Sequence, residues 1–584
     1  MCGILGAAST QRVSPDTLGK AVRALSARGP DDTGTASFEH ALLAHTRLSI
    51  IDLSMGHQPM RDLLGDRAIV FNGEIYNYKE LRKELEAKDY QFSTQSDTEV
   101  ILKSYSEYGD ACVEKLDGQF AFAIWDNARE RLFLARDRFG EKPLYLSKQG
   151  DTIFFASEIK ALLATGRIPS EIDPVSLDNY LALMYVPPWR SIYKGVTPLP
   201  PAHRAVWEKG TYRQEQYWKL KKEPLTLSFD DAAASIRELL EESVRLRMVA
   251  DVEVGAFLSG GMDSSIVVRL AQQISNRTLK TFSAGFEGFI DELPYAQEIA
   301  DLAHTEHHPA QIKENLVDVF LSVSHYFDEP FADSSNIPTS LVSTLARKKV
   351  KVALSGDGGD ELFWGYGHYT RFSHLPRMQR LLNMISGVDA YVHYKTSALA
   401  QFSTQERRAL LKNSRDIEED LTKHLDLSEA QTPLEKINLV DYYLGLPGDM
   451  LTKVDRASMM HSLEVRSPFL HPELAQLAYN LPAEYKTDGR RGKVIFEKAF
   501  GDLLPRDFFT RKKQGFGAPL SAWLTKPEFK KRIDEWFTDE AKIGALLNMK
   551  EVRKYIDGFY QGNTSLQYKV WILLGLEAWL RTRI

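Results

Sequence analysis

Cysteine is nearly absent from this chain: Cys2 and Cys112 are the only two in 584 residues. Two thiols cannot build a disulfide framework, so the sequence reads as that of a protein from a reducing compartment, and the expected location is cytoplasmic. Long apolar runs are missing too. No stretch of about 18 apolar residues occurs, and the N-terminus has no charged segment leading into an apolar one, so neither a membrane span nor a signal peptide is expected. Basic charge is not in excess: 73 Lys and Arg face 79 Asp and Glu, a formal net charge of -6. That balance gives no expectation of nucleic acid as a partner, and a membrane is not expected either. Internal repeats and low-complexity tracts are lacking. What remains is a chain with 43% hydrophobic residues, long enough for two domains or more.

The first 200 residues are rich in short β-like runs, at 41–44, 68–71, 120–125, 131–135 and 152–155, with a hairpin expected at 125–130. Helical patterns stand at 78–88 and 98–108. The expectation is stacked antiparallel sheets with covering helices. Val186-Pro187-Pro188-Trp189 and Pro198-Leu199-Pro200-Pro201 interrupt regular structure and mark a boundary region. Beyond it, strand-like segments at 252–258, 279–286 and 350–354 alternate with helical patterns at 235–248 and 264–274, which implies βαβ units and a parallel sheet. From about residue 382 helical periodicity dominates. The expected division is 1–205 and 206–584.

Cys2 directly follows Met1. Removal of Met1 would leave one residue carrying both a thiol and an α-amino group, whose ordinary pKa of about 7.7–8.0 suits it to take the thiol proton. That is the logic of an N-terminal nucleophile. Ser259-Gly260-Gly261-Met262-Asp263-Ser264-Ser265 follows the apolar run ending at Leu258 and opens a helix, the setting of a phosphate cradle. It lacks the lysine of a Walker loop, and Asp263 puts a negative charge where phosphate should sit, so a metal or a pyrophosphate-releasing chemistry is implied. A second acidic glycine loop, Ser355-Gly356-Asp357-Gly358-Gly359-Asp360-Glu361, follows the run at 350–354. Both loops are expected at the carboxyl edge of one parallel sheet, facing one nucleotide and its magnesium. Two other features read as structural. His304-Thr305-Glu306-His307-His308 lacks a fourth-ligand pattern for zinc, and Cys112 reads as a small buried hydrophobe.

The chain resembles the glutamine-dependent asparagine synthetases, of the class II amidotransferase type. The matching blocks run in order along nearly the whole chain. They are Met1-Cys2-Gly3-Ile4, Arg28-Gly29-Pro30-Asp31, His45-Thr46-Arg47-Leu48-Ser49-Ile50, Phe71-Asn72-Gly73-Glu74-Ile75-Tyr76-Asn77, Ser96-Asp97-Thr98-Glu99 and Arg136-Asp137-Arg138-Phe139-Gly140. Then come the two glycine loops, Lys453-Val454-Asp455-Arg456-Ala457-Ser458-Met459, Leu463-Glu464-Val465-Arg466-Ser467-Pro468-Phe469-Leu470 and Arg511-Lys512-Lys513-Gln514-Gly515-Phe516.

The resemblance implies a four-layered N-terminal nucleophile hydrolase domain, α+β, in which Cys2 attacks the glutamine amide. Asn72 and Gly73 would form the oxyanion hole, Arg47 would clamp the α-carboxylate, and Asp97 with Glu74 would hold the α-amino group. The second domain, an α/β pyrophosphatase-type sheet with a largely helical C-terminal part, would convert aspartate and ATP to an acyl-adenylate that ammonia displaces. Leu258, Ser259, Gly260, Gly261, Asp263, Ser264, Ser355, Gly356 and Tyr366 would bind ATP and pyrophosphate, Asp263 and Asp357 the magnesium ion, and Lys513 the charge that develops during adenylation. The resemblance allows a homodimer. Two departures, Asp357 where the family often has Glu and His471 where it often has Asp, bear on the acceptor. The same architecture could amidate a nucleotide-linked uronic acid, and a non-catalytic regulatory homologue is a third reading. Intact Cys2, Asn72, Asp263 and Lys513 weigh against the last.

Overall fold

The computed structural model describes residues 1–286, 292–312, 315–373, 401–411, 417–509, 511 and 518–583. In its first half the strands are β1 (Gly3–Ser9), β2 (Asp32–Ser37), β3 (Ala41–Arg47), β4 (Met60–Arg61), β5 (Arg67–Ile75), β6 (Gly118–Asp126), β7 (Arg131–Arg136), β8 (Tyr145–Gln149), β9 (Thr152–Ala156), β10 (Thr197–Pro198), β11 (His203–Glu208) and β12 (Thr211–Gln216). They form two antiparallel sheets, ordered β10-β8-β9-β1-β3-β2 and β12-β11-β7-β6-β5-β4. The hairpin expected at 125–130 closes β6 on β7, with Asp126 opposite Arg131.

Side chains alternate across each strand with a period of two, and here both faces are buried. On β5, Ala68 and Val70 enter the core between the sheets while Ile69 and Phe71 enter the core on the outer face. On β6, Ala121, Ala123 and Trp125 point between the sheets, and Phe120, Phe122 and Ile124 point outward. The outer layers are helical. Tyr78–Glu86 and Asp97–Tyr108 supply Leu81, Leu85, Val100 and Ile101 to the core over the second sheet. Ile159–Ala164 and Pro174–Leu183 cover the first sheet, where the C-terminal helix Gln567–Arg581 joins the same core. Burial on both faces explains why these strands read as nearly continuous apolar runs.

The boundary expected at residue 205 falls inside β11, and the chain completes the second antiparallel sheet with β12 before leaving it at Gln216. The second half then builds a parallel sheet from β13 (Val254–Phe257), β14 (Lys280–Phe286), β15 (Glu306–Ile312), β16 (Val352–Leu354) and β17 (Glu464–Arg466), ordered β15-β14-β13-β16-β17. Three of these match expected runs. The other two were not foreseen: β15 opens on the polar Glu306-His307-His308, and β17 spans only residues 464–466. The chain moves outward from β13 in one direction through β14 and β15, then returns to β13's other side with β16 and β17. Strand order therefore reverses between β13 and β16, and the crevice beyond their carboxyl ends is where ligands bind in open sheets of this kind. Both acidic glycine loops leave from those two strands.

Candidate active sites

In the first half, Cys2 lies just ahead of β1 and is buried. Its main-chain N–H donates to Asn72 Oδ1 at 2.9 Å, and its carbonyl accepts from Arg28 Nε at 3.0 Å. The other amide atom of Asn72, Nδ2, is buried with no hydrogen-bond partner among the described residues. An orphaned donor at that depth is costly unless something fills it, and a tetrahedral oxyanion is such a group. Gly73 follows with φ 151°, and a Cβ there would stand 2.0 Å from the Gln119 carbonyl, so only glycine fits.

The cleft beside Cys2 is narrow, with a cavity volume of ≈ 30 Å³, and is lined by Met1, Arg47, Gly73, Glu74, Asp97 and Glu464, among others. Sequence reasoning had gathered all of these except Met1 and Glu464 as binding residues. Arg47 is buried and donates to the carbonyls of Ile51, Asp52 and Leu53, which fixes the guanidinium and the loop that carries them. Gly56 closes on it: a Cβ there would sit 2.3 Å from Arg47 Nη2. Asp97 begins its helix and accepts from the Ile75 N–H at 3.1 Å. Burial pushes its carboxyl up to about 6, despite the Ile75 and Thr98 N–H groups. Glu74 lies against Arg466 Nη2 at 3.0 Å, and burial with Asp97 nearby drives its pKa well above the carboxylate range.

Met1 forms part of the wall of this cleft. Its ammonium pairs with Glu464 Oε2 at 2.8 Å, and Arg466 Nε donates to Glu464 Oε1 at 2.7 Å. Burial would raise the Glu464 carboxyl, but the ammonium and Arg466 outweigh it and hold the group down at about 2. Burial also pushes the Cys2 thiol up, opposed by the positive N-terminus and Arg47. A thiol held protonated needs a base to become a nucleophile.

In the second half the loop after β13 is drawn tight by its hydroxyls. Ser259 Oγ lies 3.0 Å from Ser264 Oγ and accepts from Gly261 N, and Ser264 Oγ donates to the Gly261 carbonyl at 3.1 Å. The Leu258 N–H donates to the Phe282 carbonyl, which keeps the loop's root in the sheet. Gly260 takes φ 75° under Tyr295, where a Cβ would be 2.6 Å from that residue's Cβ. The loop after β16 packs onto this one. A Cβ on Gly356 would stand 2.9 Å from Asp263 Cβ, and one on Gly359 2.7 Å from Asp263 Oδ1. Ser355 is anchored through its N–H to the Arg466 carbonyl at 2.9 Å.

The two loops meet on a lysine that sequence reasoning passed over. Lys493 Nζ lies 2.5 Å from Asp263 Oδ2 and 2.5 Å from Asp360 Oδ1, and the two carboxylates push its pKa up against the effect of burial. Its backbone is left-handed, φ 56°, and Gly492 before it packs so closely that a Cβ would lie 1.9 Å from the Trp364 carbonyl. Asp357 lies apart from this bridge. Burial raises its carboxyl, opposed by Lys453, which pairs with Asp333 Oδ2 at 3.2 Å. Tyr366 donates to Glu361 Oε1 at 2.5 Å, and burial with Asp360 beside it lifts Glu361 to about 7. Lys513 lies outside the described residues.

Apart from Lys513, the expected residues lie in two regions, one around Cys2 and one around the two glycine loops, and Lys493, Asp360, Glu464 and Arg466 join them. Asp360, Glu464 and Arg466 sit inside motif blocks that the sequence displays plainly. Lys493 sits in Arg490-Arg491-Gly492-Lys493, which reads as a basic turn, and its one signal is a glycine immediately before it.

Comparison with known proteins bears on both halves. The glutamine amidotransferase domain family matches residues 1–218 and the asparagine synthase family residues 235–581. Asparagine synthetase [glutamine-hydrolyzing] 1 of Bacillus subtilis is 34% identical over 94% of this chain and 91% of its own length. Asparagine synthetase [glutamine-hydrolyzing] 3 of the same organism is 33% identical, over 95% of this chain and 93% of its own. A putative asparagine synthetase [glutamine-hydrolyzing] of Mycobacterium tuberculosis is 33% identical over 99% and 97%.

Proposed function

This chain belongs to the asparagine synthase family, with a glutamine amidotransferase domain ahead of the synthase domain, and from that premise we propose that it makes asparagine from aspartate, glutamine and ATP. Its two units divide after β12, near residue 216, and each carries one half-reaction. The observation that carries the reading is the presence, in one chain, of a Cys2–Asn72 cleft and an Asp263–Lys493–Asp360 bridge.

Once Met1 is removed, the free Cys2 amine accepts the thiol proton, directly or through water, and the thiolate attacks the glutamine amide. Asn72 Nδ2 and the Gly73 N–H receive the oxyanion. Arg47 meets the substrate carboxylate, while Asp97 and Glu74 meet its ammonium, since a zwitterion requires opposite charges at its two ends. Removal of Met1 also widens the cleft by one wall residue and releases Glu464 from the ammonium it now holds.

In the synthase unit, Leu258, Ser259, Gly260, Gly261 and Ser264, with Ser355 and Gly356 opposite, cradle the phosphates at the start of the helix Met262–Ile274. The Asp263 and Asp360 carboxylates, bridged here by Lys493, are hard oxygen donors that would hold magnesium once that lysine turns to phosphate. Magnesium there would neutralise phosphate charge as pyrophosphate departs. Asp360 joins Asp263 and Asp357 as a candidate for magnesium, and Asp357 lies in the field of Lys453. Lys493 stands where charge builds on the α-phosphate during adenylation, the task expected of Lys513 from the sequence. Tyr366, through Glu361, closes the side of the same crevice.

The test is to supply the purified protein with ATP, magnesium and ammonium, then aspartate and a nucleotide-linked uronic acid separately, and measure AMP. Aspartate should give AMP and pyrophosphate well above background. A site built to hydrogen-bond an amino acid rejects acids that leave its buried polar groups unpaired. AMP from the sugar acid alone would contradict the reading.

A further inference from the structure

The backbone of Cys2 is pinned on both sides of its Cα, and one pin comes from the synthase half. On the amino side the N–H donates to Asn72, within the glutaminase domain. On the carbonyl side Arg28 Nε donates at 3.0 Å, and the same guanidinium reaches out of the domain. Arg28 Nη1 and Nη2 donate to Asp455 Oδ2 and Oδ1 at 2.8 and 2.9 Å, a two-pronged pairing whose planar geometry fixes the arginine in direction as well as position. Arg28 is fully buried and Asp455 is 4% exposed, so water does not compete for either.

Asp455 sits on the helix Leu451–Met459, two residues after Lys453. At about 100° per residue these side chains leave the helix roughly 200° apart, on opposite faces. Lys453 goes to Asp333 and the second glycine loop, and Asp455 goes to Arg28. A second tie lies alongside, where Ser462 Oγ donates at 2.6 Å to the carbonyl of Ala27, the residue before Arg28. The remaining partner of Arg28, Glu158 Oε1 at 3.2 Å, is shared with Arg456 Nη1 at 2.9 Å and with the Tyr326 hydroxyl at 3.0 Å. Glu158 is thus already neutralised by other groups, and Asp455 is the carboxylate that meets Arg28 in fork geometry.

We propose that Asp455 is a positioning residue for glutamine hydrolysis: acting through Arg28 from the synthase domain, it fixes the carbonyl of Cys2 and so the direction from which the thiol attacks. This rests on the glutaminase reading given above. Asp455 touches neither glutamine nor the thiol, so its loss should disturb alignment and leave substrate binding nearly intact. Misplacement of a reacting group by about 1 Å can cost ~10²-fold in rate.

The experiment uses the full chain with Met1 removed, as Asp455→Asn, Arg28→Lys and the double variant. Each preparation is checked by its melting temperature and by ammonia-dependent pyrophosphate release. Asp455→Asn should lower kcat for glutamine hydrolysis about tenfold or more while KM for glutamine moves less than threefold, and alkylation of Cys2 by iodoacetamide should slow in parallel. Arg28→Lys keeps a cation near the Cys2 carbonyl but cannot form the fork, and should behave alike. Because the two residues act as one unit, the double variant should be no worse than the poorer single one. A kcat for either single variant within twofold of the parent's, or single losses that multiply in the double, overturns the proposal. If Asp455→Asn does not fold, Arg28→Lys decides by the same kcat and alkylation criteria. A parent enzyme that fails to hydrolyse glutamine contradicts the glutaminase reading itself, whereas normal hydrolysis in the variants contradicts this inference alone.

Discussion

The two clefts of this protein are built by different means. The glutaminase cleft gathers its groups from strand ends and helix starts that follow one another within the first hundred residues: Cys2 ahead of β1, Arg47 at the end of β3, Asn72 to Glu74 on β5, and Asp97 at the start of a helix. The synthase cleft is assembled from segments far apart in sequence, with Asp263, Asp360 and Lys493 meeting across the sheet's switch point. The first takes its substrate-facing groups from one sandwich, although Asp455, Glu464 and Arg466 of the other half brace it. The second depends on the whole α/β unit closing correctly, so its chemistry is harder to see in a linear sequence and easier to lose by a change outside the loops.

The largest effect should come from the nucleophile. Cys2→Ala is expected to abolish glutamine-dependent asparagine formation and leave ammonia-dependent formation in place, because only one of the two half-reactions uses the thiol. Loss of both in a folded protein would break the separation of the clefts. A chain that keeps Met1 should match this variant, since Met1 narrows the cleft and ties the Cys2 amine into a peptide bond. Glutamate release from a Met1-bearing preparation, with retention checked by mass spectrometry, tests this.

Next comes the synthase lysine. Lys493→Ala should lower ATP-dependent turnover by about 10²–10³, the usual consequence of losing one preorganised charge, while basal glutamine hydrolysis persists. Steady-state pyrophosphate release by Lys493→Ala and Lys513→Ala, side by side, sharpens the comparison. A larger loss at Lys513 would restore the assignment drawn from the sequence.

Lys493 shows how far the sequence could be read. Five strands of the first half, three of the parallel sheet, four of the covering helices and both glycine loops were visible as apolar runs, periodicity and turn residues. Every glutaminase residue named from the sequence lies in or beside one cleft. Lys493 was hidden because its role needs a left-handed backbone and a glycine wedged under the Trp364 carbonyl, neither of which a basic turn announces. Strand β17 was hidden for a related reason. Its three residues carry two charges, and they are buried only because Glu464 meets the N-terminus and Arg466 meets Glu74. Buried charge that is satisfied by a distant partner looks like surface charge in a sequence.

Smaller effects separate the clefts further. Asn72→Ala should reduce kcat for glutamine hydrolysis by about 10²-fold with synthase activity on ammonia retained, as removal of one oxyanion donor usually does. The ratio of the two activities in one preparation is the measurement. Asp97 bears on stability as well as binding. Its carboxyl is raised from 3.8 to about 6 in the folded chain, so its contribution to stability is full below about pH 4, is lost as pH rises through about 6, and stays lost above. Asp97→Asn should therefore melt about 1–2 °C higher than the parent at pH 7.5 and show no such gain at pH 4, while glutamine binding weakens. Equal melting differences at the two pH values would remove burial as the cause of the raised carboxyl.

The central claim is that both clefts serve one amide transfer. It is tested most directly by giving the enzyme glutamine labelled with ¹⁵N at the side-chain amide, together with ATP, magnesium and aspartate, and following the products by mass spectrometry. ¹⁵N is expected in the asparagine side chain, with AMP and pyrophosphate formed in equal amount. ADP and phosphate in their place, or labelled ammonia released with no labelled asparagine, would contradict it.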